Sequence, residues 1–220
     1  MFFVNRLKQC SLFIFDYADI EDRHQATHPL RGTQGIYQER REQTSIRTVA
    51  TQAGVAVGNV YHYFRSKDEL FCEVMRPLLR ALDHYILSHN DEEFLSLDVF
   101  DLRQQQINHI MAMLTLVKQF RPELRLLLFN AEGTSLANYK DKIIDHQMQV
   151  GVEYLRLMKE RYPHLNINMS PFFLHLTCSA WLTLFCELVE HEEYNEEEIR
   201  LALQQYVTYG MAGWKELMKP

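Results

Sequence analysis

Residues 44–70 leave the backbone few choices. Ile46, Val49, Ala50 and Ala53 fall at i, i+3, i+4 and i+7, which is one apolar face of a short helix. Gly54 follows where that helix must stop, and the segment from Val57 to Phe64 restarts a helical pattern three residues later. Two helices joined by so short a turn must cross at about 90–120°. The crossing requires a small residue where the helices touch, supplied by Ala50, and a glycine free to adopt positive φ, supplied by Gly54. Val49, Val55 and Val60 pin the second helix to the first. That helix then presents Val57, Asn59, Tyr61, His62 and Tyr63 on or beside an exposed face, with Lys67 just beyond.

The rest of the chain is also patterned for helices. Ser66 caps a longer one through Leu70, Val74, Leu78 and Leu82 towards His89, with a kink expected at Pro77. The acidic stretch Asn90–Glu93 reads as a linker. Beyond it, helices are expected over Asp101–Phe120, over Leu124–Asn130 up to Gly133, and from Ser135 to about Tyr162. Ser170 and Pro171 supply a cap and a first-turn proline for a helix to about Glu190. Asn195, followed by three glutamates, caps the last helix. No strand pattern follows residue 44, so the fold is expected to be all-α. Residues 19–43 fit a helix poorly because Pro29, Gly32 and Gly35 interrupt them; the first helix is placed over Asp19–His28.

A net charge of −6 over 220 residues argues weakly against nucleic acid as a partner, but the charge is unevenly spread. Residues 1–90 carry 11 Lys+Arg and 10 Asp+Glu, whereas residues 91–220 carry 12 and 19. A mildly basic N-terminal part joined to an acidic remainder is the distribution of a DNA-reading head on a larger body. The four cysteines, Cys10, Cys72, Cys178 and Cys186, form no Cys-x-x-Cys and read as reduced thiols of a cytoplasmic protein. The N-terminal apolar run ends at Asp16, too short for a signal peptide. No uninterrupted apolar stretch approaches a membrane span, so no membrane partner is expected.

The Ala-Gly-Val…Gly…Val-Tyr-x-Tyr-Phe-x-Ser-Lys-Asp-x-Leu pattern running to Leu70 resembles the DNA-binding segment of TetR-type (tetracycline-repressor-like) transcriptional regulators. The resemblance covers about 27 residues, from Thr44. It implies a helix-turn-helix head of three helices and a larger helical ligand-binding and dimerisation body. On that basis residues 1–18 are an atypical extension, 19–66 the DNA-binding domain, 67–90 a connecting helix and 91–220 the body. The resemblance implies phosphate-backbone contacts from Thr44, Ser45, Tyr63 and Lys67, and groove contacts from Arg47, Val57, Gly58, Asn59 and Tyr61. The chemistry agrees, since hydroxyls and a lysine suit phosphates. Asn59 suits an adenine edge, and Val57 a thymine methyl. Two positions depart from the family: Ala56 stands where a Ser or Thr usually caps the recognition helix, and Arg40-Arg41-Glu42 replaces an aromatic–Gly turn.

Within the body, His109, Met113, Phe129, His146, Tyr154, Phe173 and Trp181 are the candidate lining of an apolar effector cavity. Leu176, Ala180, Leu184 and Leu188, with Leu201, Leu203, Tyr206 and Tyr209, form stripes suited to a four-helix homodimer interface. The expected partners are therefore a double-stranded DNA operator, a small-molecule effector and a second copy of the chain. No cofactor is implied. A metal site is not expected either, because Glu21–His24 is the one Glu-x-x-His and Glu187/His191 stand without a second such pair. Nothing resembles a nucleophile elbow, so the expectation is a ligand-responsive repressor and not an enzyme. The alternative is a helical ligand-binding or interaction protein whose head does not bind DNA.

Overall fold

A computed structural model describes residues 46–100 and 103–219, and among these it contains seven α-helices and no strand. They are α1 (Ile46–Ala53), α2 (Val57–Tyr63), α3 (Lys67–Leu87), α4 (Arg103–Phe129), α5 (Tyr139–Arg161), α6 (Pro171–Glu190) and α7 (Glu196–Met218). The all-α expectation is met. The extension over 1–18, the helix expected over Asp19–His28, Thr44, Ser45 and Cys10 lie outside the described residues.

The helix ends follow their local chemistry. The Ser170 hydroxyl accepts from the Phe173 N–H with Pro171 in the first turn, as the sequence predicts for α6. At α7 the Asn195 side chain accepts from the Glu198 N–H, and the Glu198 carboxylate accepts from the Asn195 N–H, a reciprocal capping box. α3 runs unbroken past Pro77. In α4 the backbone leaves the helical region at Phe120 (φ −125°, ψ 22°), two residues before Pro122, so the two helices expected there join across a kink.

Two expectations are corrected. The helix expected from Ser135 starts at Tyr139, because Ser135 is otherwise engaged: its N–H and hydroxyl both donate to the Asp68 carboxylate, at 2.8 and 3.1 Å. The stretch read as a linker, Asn90–Glu93, belongs to a run of three 3-10 turns from Ser88 to Phe100 that buries Leu95, Val99 and Phe100. Tyr154 O–H donates to the Phe94 carbonyl and Arg161 to that of Leu95, which fastens these turns to α5.

The described chain divides into two compact units. One holds the described residues up to Leu78 together with Pro122–Asn138; the other holds Leu79–Arg121 with the described residues from Tyr139 on. In the second unit Leu95, Val99, Phe100, Leu155, Met158, Leu165, Leu174 and Met218 form a buried cluster. Arg121 donates to the Leu188 and Val189 carbonyls, satisfying the C-terminal end of α6.

One helix, α6, is long and apolar enough to cross a membrane by length and composition, with a mean hydropathy of 1.6. A count of strictly apolar runs overlooks it because His175, Thr177, Ser179 and Thr183 interrupt the stretch. Core helices of soluble proteins have the same composition, and Leu174, Leu182, Phe185, Leu188 and Val189 on α6 are buried. Exposed apolar side chains remain on α6 and α7, namely Phe172, Leu176, Leu201, Tyr206 and Tyr209. Of the expected dimer stripes, Ala180 is exposed as well and Leu184 half-buried, whereas Leu188 and Leu203 are buried in the unit's own core.

Candidate nucleic-acid interface and ligand cavity

α1 ends as its glycine requires. Gly54 has φ +64°, its N–H donates to the Thr51 carbonyl at 3.1 Å, and the Val55 N–H donates to that of Ala50 at 2.9 Å. This is a Schellman turn, whose left-handed residue favours glycine over any side chain bearing Cβ. The turn carries the chain straight into α2. Val49, Ala50, Ala53 and Val60 are at most 2% exposed, so the two short helices are locked together by small and β-branched side chains. Phe64 and Leu70 are also buried. Ser66 opens α3 by accepting from the Glu69 N–H, while the Glu69 carboxylate accepts from the Arg65 N–H.

The face left outward is the predicted one. Gly58, Asn59, Tyr61, His62 and Tyr63 are exposed, Val57 is half-buried, and Arg47 on α1 is exposed. Tyr61 and Tyr63 keep 55% and 54% of their surface accessible. A Cβ added at Gly58 would meet nothing within 4 Å, so its backbone is open to close approach. Lys67 is half-buried, and burial lowers its ammonium pKa from the usual value. Ala56 sits at the N-cap of α2 with extended backbone and no side-chain hydrogen bond, as the departure noted in the sequence requires. Ala56→Ser should therefore restore the missing acceptor and raise the stability of this unit by about 1 kcal/mol, measured as a higher denaturation midpoint.

Residues 41–74 match the family described as bacterial regulatory proteins, tetR family. The segment is similar to that family's DNA-binding head, which supports a DNA-binding transcriptional regulator. The matched segment is the one whose turn, locked helix pair and outward face are described above. That family is one of regulators, not enzymes. No curated protein matches the chain.

The second unit contains a partly open cavity of about 300 Å³. Its wall is aromatic. Tyr85 stacks on His109 (centroids 4.8 Å apart) and on Trp181 (6.0 Å), and Trp181 stacks on Phe185 (5.2 Å). His89 lies 5.0 Å from Tyr154 and 6.3 Å from Phe94. Tyr85 Oη and His109 Nε2 share a hydrogen bond of 2.7 Å. Among the described residues no Asp, Glu, Lys or Arg lines the cavity. Burial is the main cause lowering the His109 pKa to about 4, with His89 adding to it; burial lowers that of His89 too, so both rings are neutral at neutral pH. Burial likewise raises the Tyr85 and Tyr154 phenols, the latter to about 12.

Of the residues chosen from sequence, His109, Tyr154 and Trp181 line this cavity. Met113, Phe129, His146 and Phe173 do not. Met113 is buried, Phe129 belongs to the other unit, and Phe173 packs edge-on against Trp214 at 5.5 Å. His146 Nδ1 stands 3.8 Å from Asp83 on a partly exposed face. Tyr85, His89, Phe94, Gln147 and Trp214 line it without having been singled out. Tyr85, in the last turn of α3, and His89, in the 3-10 turn that follows, are four residues apart, and both rings reach the cavity. Glu187 and His191 form an ion pair at 3.1 Å, joined by Glu193. Among the described residues no cluster of three or more His, Cys, Asp or Glu is arranged to hold a metal.

Proposed function

We propose that the chain is a ligand-responsive repressor that binds a pseudo-palindromic operator as a homodimer in the cytoplasm. A small uncharged apolar or aromatic molecule releases it. The observation that carries the reading is the uncharged, aromatic-walled cavity in the second unit, large enough for a two-ring ligand. One head reads too few base pairs for useful specificity, whereas a two-fold dimer places two recognition helices in successive major grooves about 34–36 Å apart. The exposed side chains of Phe172, Leu176, Leu201, Tyr206 and Tyr209 are the apolar surface such a dimer would cover. Ligand binding favours a spacing of the two heads that no longer matches those grooves, a population shift requiring a few kcal/mol of preference between states.

Selection of the chain's own upstream genomic DNA across a salt series tests this. Enrichment of a palindromic site bound by two copies, with affinity falling steeply as salt rises, supports it. Enrichment of a single half-site bound by one copy rejects the dimer. Negligible binding even at low salt leaves the ligand-binding alternative.

A further inference from the structure

We infer that the cavity takes a two-ring aromatic molecule that carries a hydroxyl group and no carboxylate, and that His89 and Gln147 bind that hydroxyl. This inference rests on the reading of the cavity as the effector site. A cavity of about 300 Å³ is roughly twice the size that holds one benzene ring, which sets the ligand at two rings. The stacked faces of Tyr85, His109 and Trp181 suit a flat aromatic partner.

The wall disfavours an anion. Among the described residues it carries no basic side chain, and its two imidazoles are neutral at pH 7. A carboxylate entering such a space gives up hydration and finds no counter-ion among them.

The hydroxyl follows from two side chains left without protein partners. The His89 ring contributes to the cavity wall, keeps exposed surface and makes no hydrogen bond to a described residue, whereas its neighbour His109 is taken by Tyr85. A neutral imidazole offers one donor and one acceptor, which is what a hydroxyl matches. Gln147, also in the wall, has a buried Oε1 with no hydrogen-bond partner. The terminal torsion of a glutamine is soft, so the amide turns readily to meet a ligand. Orphaned polar atoms beside an apolar cavity mark where a ligand's polar group belongs.

Titration calorimetry with 2-naphthol, naphthalene and 2-naphthoate at pH 7 tests the inference, with tryptophan emission as the reporter of occupancy. The chain's two tryptophans, Trp181 and Trp214, both line the cavity. We expect 2-naphthol to bind at least about 10-fold tighter than either of the others. His89→Phe and Gln147→Leu should each reduce its advantage over naphthalene while leaving naphthalene binding intact, which also shows that the variants fold. Gln147→Leu removes an unpartnered polar atom and should fold at least as well as the parent. Naphthoate binding as tightly as naphthol overturns the inference, as does a naphthol preference that survives both substitutions. If none of the three probes binds or alters the emission, the reading of the cavity as the effector site fails instead.

Discussion

Replacing Asn59 by Ala should weaken binding to the operator by about 1–3 kcal/mol, a loss of roughly 5- to 150-fold, and should relax the choice of base at one position per half-site. Asn59 is exposed on α2, whose opposite side is fixed by fully buried Val60. Its amide is therefore presented by a rigid backbone, with the exposed, side-chain-free Gly58 beside it allowing close approach. Lys67→Ala should behave differently. Lys67 lies beyond α2 at the first turn of α3, and a lysine there is expected to meet phosphate and not a base edge. Its loss should lower affinity about equally for every sequence and reduce the slope of log affinity against log salt by about 1. Measuring both variants against the selected site and a scrambled duplex, across a salt series, separates the two roles. Equal losses on both duplexes for Asn59→Ala would remove base reading from that residue.

The parts of this molecule legible in its sequence are those where a few adjacent residues determine the outcome. Gly54 ends α1 because a left-handed turn excludes most other residues, and Ser170-Pro171 and Asn195 with Glu198 start α6 and α7 because their side chains complete the first turn. Where a local signal competes with a distant partner, it misleads. Ser135 is a good cap by composition, but Asp68, 67 positions away, takes its hydroxyl and its N–H. The cavity is harder still, because a void is defined by which side chains fail to meet across several helices. Trp181 borders it while Phe173, two turns earlier on the same helix, packs edge-on against Trp214. One local trace existed. Gly151 interrupts α5 at a cost of about 1 kcal/mol relative to alanine. It lines the cavity, and a Cβ there would meet nothing within 4 Å.

Acidification should destabilise the second unit by about 3 kcal/mol between pH 7 and pH 4. His109 titrates at about 4 in the folded chain and at about 6.5 once unfolded, burial being the main cause and His89 the second. Above pH 6.5 the ring is neutral in both states and contributes no pH dependence. Between 6.5 and 4 the unfolded chain takes up a proton that the folded chain refuses, so stability falls with falling pH; below 4 the loss is complete. His89 is displaced in the same direction by burial and steepens the fall. The remaining titratable groups around them are the phenols of Tyr85 and Tyr154, which burial moves further above the range, and the Cys178 thiol, which it also raises. Among the described residues of the wall no carboxylate compensates an imidazolium. Denaturant titrations followed by tryptophan emission, at intervals from pH 8 to pH 4, read the effect directly, since both indoles lie in this wall. His109→Gln keeps a hydrogen-bonding partner for Tyr85 and removes the titration, so its profile should be flatter by most of that amount. Superimposable profiles for the two proteins would show that the His109 ring takes up its proton as readily in the folded chain as in the unfolded one, so that burial does not oppose its charging.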